Sequence, residues 1–245
     1  MRVEVLAAII SFFSAIITIA ISELLKNTKE KREKTNQINS KYLNPLRLYL
    51  EETYIRLSEI LEKTKANTEL TALTFINSPD EISAKKSSWF LNEGVYLISS
   101  CYFTGCLFSM IKLVREDLPY IKLKKKRNDT KLLNLMFKIS YAFLQEHGIY
   151  YAIQHSIGDE MFIRQERRVM TYREFCNKLI IDEERIWFER LINFYIETGK
   201  NQKIHRLEMA TNAIKELSIF LDENITGGYS IKERLISENK NLMNE

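Results

Sequence analysis

The stretch YYAIQHSIGDEM, Tyr150 to Met161, holds a histidine and an aspartate suited to acid–base or metal chemistry. His155 and Asp159 are four residues apart, one turn of a helix, in a chain with only three histidines. A carboxylate at that spacing can hold one imidazole nitrogen and raise the basicity of the other, which suits a general base or half of a metal site. Gln154 lies beside them and Glu146-His147 upstream. The competing reading is a hydrogen-bonded pair at a helix surface. In it Ile149, Ile153, Ile157 and Met161 form the buried stripe, and Gly158 allows another helix to approach closely. The structural reading is preferred, with His155 and Asp159 kept as the candidate catalytic pair.

The other signatures of catalysis are absent from the sequence. There is no G-x-x-x-x-G-K-[ST], no strand-linked glycine fingerprint, no H-E-x-x-H and no G-x-S-x-G. Helical nucleases of the HEPN type carry an arginine several residues before a histidine. None stands four to six residues before His147, His155 or His205. Carboxylate di-iron bundles need Glu-x-x-His, and the residues three before these histidines are Leu144, Ala152 and Gln202. No metal and no cofactor is expected. Cys101, Cys106 and Cys176 form no C-x-x-C pair and read as buried thiols in a reducing compartment.

A second candidate is the basic cluster Lys122, Lys124, Lys125, Lys126 and Arg127. Such a run can neutralise phosphates, those of anionic lipid or those of nucleic acid. Only Tyr120 supplies a nearby aromatic ring for stacking on bases, so nucleic acid is disfavoured and lipid contact is the functional option. The bland reading is a solvated loop.

Of the 245 residues, 45% are hydrophobic and 28% charged, with 7 glycines and 3 prolines. Long runs without turn residues point to an all-α protein. The net charge of +4 is too small to steer a partner by itself. The strongest signal is the seventeen-residue uncharged run Val5–Ile21, VLAAIISFFSAIITIAI. At about 1.5 Å per residue it spans roughly 26 Å, close to a bilayer's hydrocarbon thickness. Ser11, Ser14 and Thr18 can bond back to helical carbonyls. A cleaved signal peptide has a shorter apolar run, and a core helix of a soluble protein has a polar face. Lys26, Lys29, Lys31, Arg32, Lys34 and Lys41 follow the run, so the body is expected on the cytoplasmic side. A second uncharged run, Gly94–Ile111, contains Ser99, Ser100, Thr104, Gly105 and Ser109 and reads as a bundle core rather than a second span.

The expected organisation is a transmembrane anchor at 1–25, a basic juxtamembrane segment at 26–43, a helical bundle at 44–226 and an exposed tail at 227–245. Asn44-Pro45 opens a helix. Ser78-Pro79-x-Glu81 and Thr171-x-x-Glu174 are capping boxes, and Ser230-x-x-Glu233 can start a terminal helix. Further helices are expected over Ser88–Glu116, Thr130–Gln145, from Asp182 through RIWFERLINFYIE, and over Ile204–Leu221.

The segments QHSIGDEM, TYREFCNKL and RLEMATNAIKELSIFLD resemble an uncharacterised group of bacterial helical proteins with an N-terminal membrane anchor. The likeness spans about half the chain and implies architecture without an activity. Together these readings predict a single-pass protein of the bacterial inner membrane whose cytoplasmic multi-helix bundle binds a protein partner or a second copy of itself. It would be a scaffold or membrane effector. Effectors of bacterial stress or phage defence fall in this class, although no residue selects them. The alternative is an anchored helical enzyme using His155 and Asp159.

Overall fold

The computed structural model describes residues 2–65, 70–117 and 126–224. Among these, the side chains of residues 2–13, 15–16, 31, 34–35, 38–39 and 126–127 are left undescribed. The chain is mostly helical and divides into two compact units, residues 1–41 and 42–245.

The first unit is one helix, α1 (Arg2–Ile38), which runs past Leu25 without a break. Thr18 Oγ1 donates to the Ser14 carbonyl at 2.8 Å, Ser22 Oγ to the Ile19 carbonyl at 2.8 Å and Thr28 Oγ1 to the Leu24 carbonyl at 2.7 Å. These hydroxyls are satisfied within the helix itself.

In the second unit α2 spans Asn44–Lys65, preceded by a π-helical turn over Asn39–Leu43. Pro45 has no amide hydrogen to return to the carbonyl of Lys41, and a widened turn falls where that bond is missing. Both capping boxes form. Ser78 accepts from the Asp80 amide ahead of a 3-10 helix, Pro79–Ala84, and Thr171 from the Glu174 amide at the start of α6 (Tyr172–Ile180).

The centre is α3 (Val95–Asp117), which packs against α2, α5 (Tyr151–Glu160), α6 and α8 (Glu189–Gly199). Among the described helices it is long and apolar enough to cross a membrane, but 72% of its most apolar window is buried inside the protein. Its polar side chains have local solutions. Ser100 Oγ donates to the Tyr96 carbonyl at 2.7 Å, and Thr104 Oγ1 meets Tyr195 Oη at 2.6 Å. Cys101, Cys106 and Cys176 are free and buried, and burial pushes the Cys106 thiol up to about 12 and that of Cys176 to about 11.

A second pair of helices completes the bundle. Helix α4 (Lys126–Leu144) lies along α9 (Ile204–Asn224), and α9 also packs on α2, to which the buried Arg47–Asp222 pair ties it. The stretch after Asp182 is two helices where the acidic start predicts one. A single turn, α7 (Asp182–Arg185), precedes α8. The break leaves Ile186 and Trp187 exposed while Arg185 and Phe188 are buried, and Arg185 reaches Asp182 Oδ1 at 2.6 Å. A short hairpin the periodicity does not signal, β1 (Phe162–Ile163) with β2 (Arg168–Val169), joins α5 to α6. The central helix likewise starts later than the sequence suggests. Ser87–Leu91 is a separate 3-10 turn, closed by Gly94, where any Cβ would lie 2.4 Å from the Trp89 ring.

Arg206 of α9 is fully buried. Its Nη2 donates to Glu197 Oε2 at 2.8 Å and to the Phe194 carbonyl at 2.9 Å, and its guanidinium stacks 4.1 Å over the Phe194 ring. Its Nε and Nη1 find no acceptor among the described residues. A buried pair stabilises little when desolvation is this incompletely repaid, yet losing one partner strands a charge. Glu197→Ala is therefore expected to cost about 3 kcal/mol and Arg206→Met about 1 kcal/mol or less in chemical denaturation. Equal losses would show that the pair itself, and not the stranded charge, carries the energy.

Candidate functional site

Helix α5 presents its candidate pair because its other face is held against α3 at very short range. A Cβ on Gly158 would lie 3.0 Å from the Phe108 carbonyl oxygen and 3.2 Å from Ser109 Cα. The two backbones therefore touch directly. Ile149, Ile157 and Met161 are fully buried, Ile153 only partly. Gln154 is buried too, its Nε2 donating to the Ser140 and Ile149 carbonyls at 2.8 and 2.7 Å. These contacts turn His155 and Asp159 toward the edge shared with the C-terminal half of α3.

At that edge the two side chains go to different partners. Asp159 Oδ1 pairs with Lys112 Nζ at 2.8 Å and with Arg164 Nη2 at 3.0 Å. Partial burial acts to raise the Asp159 pKa, but the hydrogen bonds and charges of Lys112 and Arg164 prevail and hold it below the usual carboxylate range. Lys112 also pairs with Glu116 at 2.5 Å. His155 Nε2 lies 3.3 Å from Arg115 Nη1. A guanidinium can only donate, so Nε2 accepts and the ring hydrogen sits on Nδ1. Burial, then the charges of Arg115 and Lys112, lower the His155 pKa against the weaker opposing pull of Asp159 and Glu116. The imidazole is thereby kept neutral, held by a cation rather than by a carboxylate.

Asp159 also borders an open groove of about 450 Å3 formed with the hairpin, α6 and α7. Its acidic rim is internally neutralised. Lys178 bridges Glu160 at 2.5 Å and Glu184 at 3.2 Å, while Arg168 clamps Glu174 at 2.7 Å. Among the described residues no three His, Cys, Asp or Glu side chains converge in a metal-binding arrangement. Of the basic cluster, Lys122, Lys124 and Lys125 lie outside the described residues. Lys126 and Arg127 open α4, their side chains likewise outside the description.

The residues that dominate this edge, Lys112, Arg115, Arg164 and Lys178, are ones sequence reasoning does not single out. Only Lys112-x-x-x-Glu116 carries a local signal, the four-residue spacing of an ion pair. The others depend on how helices are placed. No protein-family model, curated protein or solved structure matches the chain. The functional reading therefore rests on this chain's own residues.

Two measurements check this edge. Protonating His155 would remove its acceptor and set a cation beside Arg115, so its folded pKa lies below the ordinary 6.5. The unfolded chain then binds more protons in this window, and stability falls as pH drops from about 6.5 toward the folded value. NMR titration of the imidazole should give a midpoint below 6.5, and His155→Gln should remove that part of the pH dependence; a midpoint above it would contradict the Arg115 contact. Gly158→Val should destabilise the fold by about 2–3 kcal/mol in thermal unfolding, as overpacking at a backbone contact does.

Proposed function

We propose that this protein is a single-pass, membrane-anchored helical interaction protein whose bundle faces the cytoplasm and engages a protein partner or a second copy. The observation that carries the reading is the uncharged run Val5–Ile21 within one continuous helix, together with the exposure of the described part of its apolar surface. Ile17, Ile19, Ile21, Leu24 and Leu25 are 51–67% exposed. On a helical wheel Ile17, Ile21, Leu24 and Leu25 fall within about 100° of one another and Ile19 on the opposite side, and each such side chain gains about 1.5–3 kcal/mol on leaving water. A bilayer supplies that burial on all sides. The flanking Lys26, Lys29, Lys31, Arg32, Lys34 and Lys41 support a cytoplasmic body, and loop lysines close to the membrane would favour anionic lipid.

An interaction role is favoured over catalysis by the surroundings of His155. A general base gains from a carboxylate that orients it, whereas Arg115 occupies Nε2 and Asp159 is taken by Lys112 and Arg164. The proposal covers scaffolds and membrane effectors, and no residue selects bacterial stress or phage defence among them.

The anchor is tested on the full-length chain by alkaline carbonate extraction and a C-terminal compartment reporter. Retention in the membrane pellet with cytoplasmic reporter activity is expected, and the double change Phe13→Lys with Ile17→Lys should release the protein. Wild-type protein in the carbonate supernatant, or a periplasmic reporter signal, would refute the assignment. Recovery from solubilised membranes solely as an unaccompanied monomer would count against the interaction role.

A further inference from the structure

The groove between α5, the hairpin, α6 and α7 has an apolar floor that the bundle leaves partly in water. Phe162 and Ile163 of β1 and Met170 after β2 line one part of it, and Ile181 another. Met170 is buried, Phe162 and Ile163 are half-buried, and Ile181 is 47% exposed. The Ile181 carbonyl accepts from the Glu184 and Arg185 amides at 3.1 and 2.8 Å, which fixes this residue at the corner between α6 and α7. Trp187, 48% exposed, adds apolar surface just beyond α7. The groove's volume of about 450 Å3 falls within the range of ligand-binding clefts, and its open shape suits a segment of chain better than an enclosed small molecule.

The charge around this floor says which occupant fits. Among the lining residues Asp159, Glu160, Glu174 and Glu184 are carboxylates, and Lys178 is the one cation. Each of these carboxylates has a cationic partner, but the partners are shared. Lys178 serves Glu160 and Glu184, Arg168 serves Glu166 and Glu174, and Lys112 serves Asp159 and Glu116. Among the described residues only Arg164 adds a further cation to this network, through Asp159, so six carboxylates are served by four cations. Lys178 is also the deeper member of its set, its side chain 28% exposed against 34% for Glu160 and 39% for Glu184. The anions thus stand nearer the solvent, with lone pairs that one ammonium leaves unused. An arriving lysine or arginine meets carboxylates already held in place, whereas an acidic segment meets like charge.

We propose that this groove binds a short basic and apolar segment of a partner protein. Its apolar side chains rest on Phe162, Ile163, Met170 and Ile181, and its lysine or arginine side chains bond Glu160, Glu174 and Glu184. The inference rests on the interaction role proposed for the bundle and supplies the surface and the partner chemistry for it.

The test is peptide binding to the full-length chain in phosphatidylcholine nanodiscs, read by fluorescence anisotropy with the signal of empty nanodiscs subtracted. The probe is a short fluorescein-labelled peptide in which leucines alternate with lysines and arginines. Saturable binding is expected, weakening as salt is raised because the ion pairs are exposed to screening. Ile181→Ser should weaken it about tenfold, the worth of one lost aliphatic contact. Glu160→Gln combined with Glu184→Gln should weaken it by a similar factor and flatten the salt dependence, while Glu216→Gln on α9 should leave it unchanged. These changes fall on partly exposed side chains, and altering the peptide probes the same contacts without touching the fold. No saturable binding, equal binding of peptides with glutamate at the basic positions or serine at the leucines, or an affinity unmoved by Ile181→Ser or by the paired glutamate changes would each overturn the proposal. A chain that co-purifies with a partner from membranes yet fails this test would overturn the groove assignment and leave the interaction role standing.

Discussion

Everything in the bundle depends on covering α3. A helix whose Leu97, Ile98, Cys101, Leu107, Met110 and Val114 are all buried cannot sit at a surface, so neighbours must be found around its circumference. Helix α2 takes one side, α5 another and α8 a third, with α6 closing part of the remainder. One backbone-to-backbone contact is made by Gly158, where absence of a side chain lets α5 lie on the carbonyl of Phe108. Small and hydroxylated residues along α3 make such approaches affordable, since Ser100 and Thr104 fill their hydrogen bonds locally or with Tyr195.

That same contact governs the electrostatics of the α3–α5 edge. Once Gly158 is seated, the two helices bring Lys112 against Asp159 and Arg115 against His155. The result is a surface ladder of ions in which the histidine is the neutral member. Exposed pairs of this kind contribute modestly to stability, and their main consequence is to determine protonation and side-chain direction. Arg206 plays the converse role on the far side. It is a charge inside the core that stacks on Phe194 and pairs with Glu197, tying the start of α9 to α8.

The protein thus divides its apolar surface into three lots with different fates. The α3 face is consumed by packing, the described part of the α1 face is exposed, and the α4 row of Leu133, Phe137 and Tyr141 is left beside the point where α9 ends. Hydropathy treats the first two alike, because both are long uncharged runs. For α3 the tertiary structure adds that α2, α5, α6 and α8 enclose it, which is a property of the assembled bundle.

Local features are legible in the sequence. The helical class, the capping boxes at Ser78 and Thr171 and the close approach at Gly158 follow from spacing of a few residues, where backbone hydrogen bonds and side-chain periodicity act. The uncharged Val5–Ile21 run is equally plain. Long-range partners come from the packing of helices. The four-residue spacing of His155 and Asp159 permits a mutual bond, but crossing α3 delivered Lys112 and Arg115, and a charged ammonium outcompetes a neutral imidazole for a carboxylate. The hairpin at Phe162–Val169, the break after Arg185 and the burial of Arg206 are likewise invisible to periodicity. Each depends on the rotation and placement of helices distant in the chain, and no short window of residues encodes those.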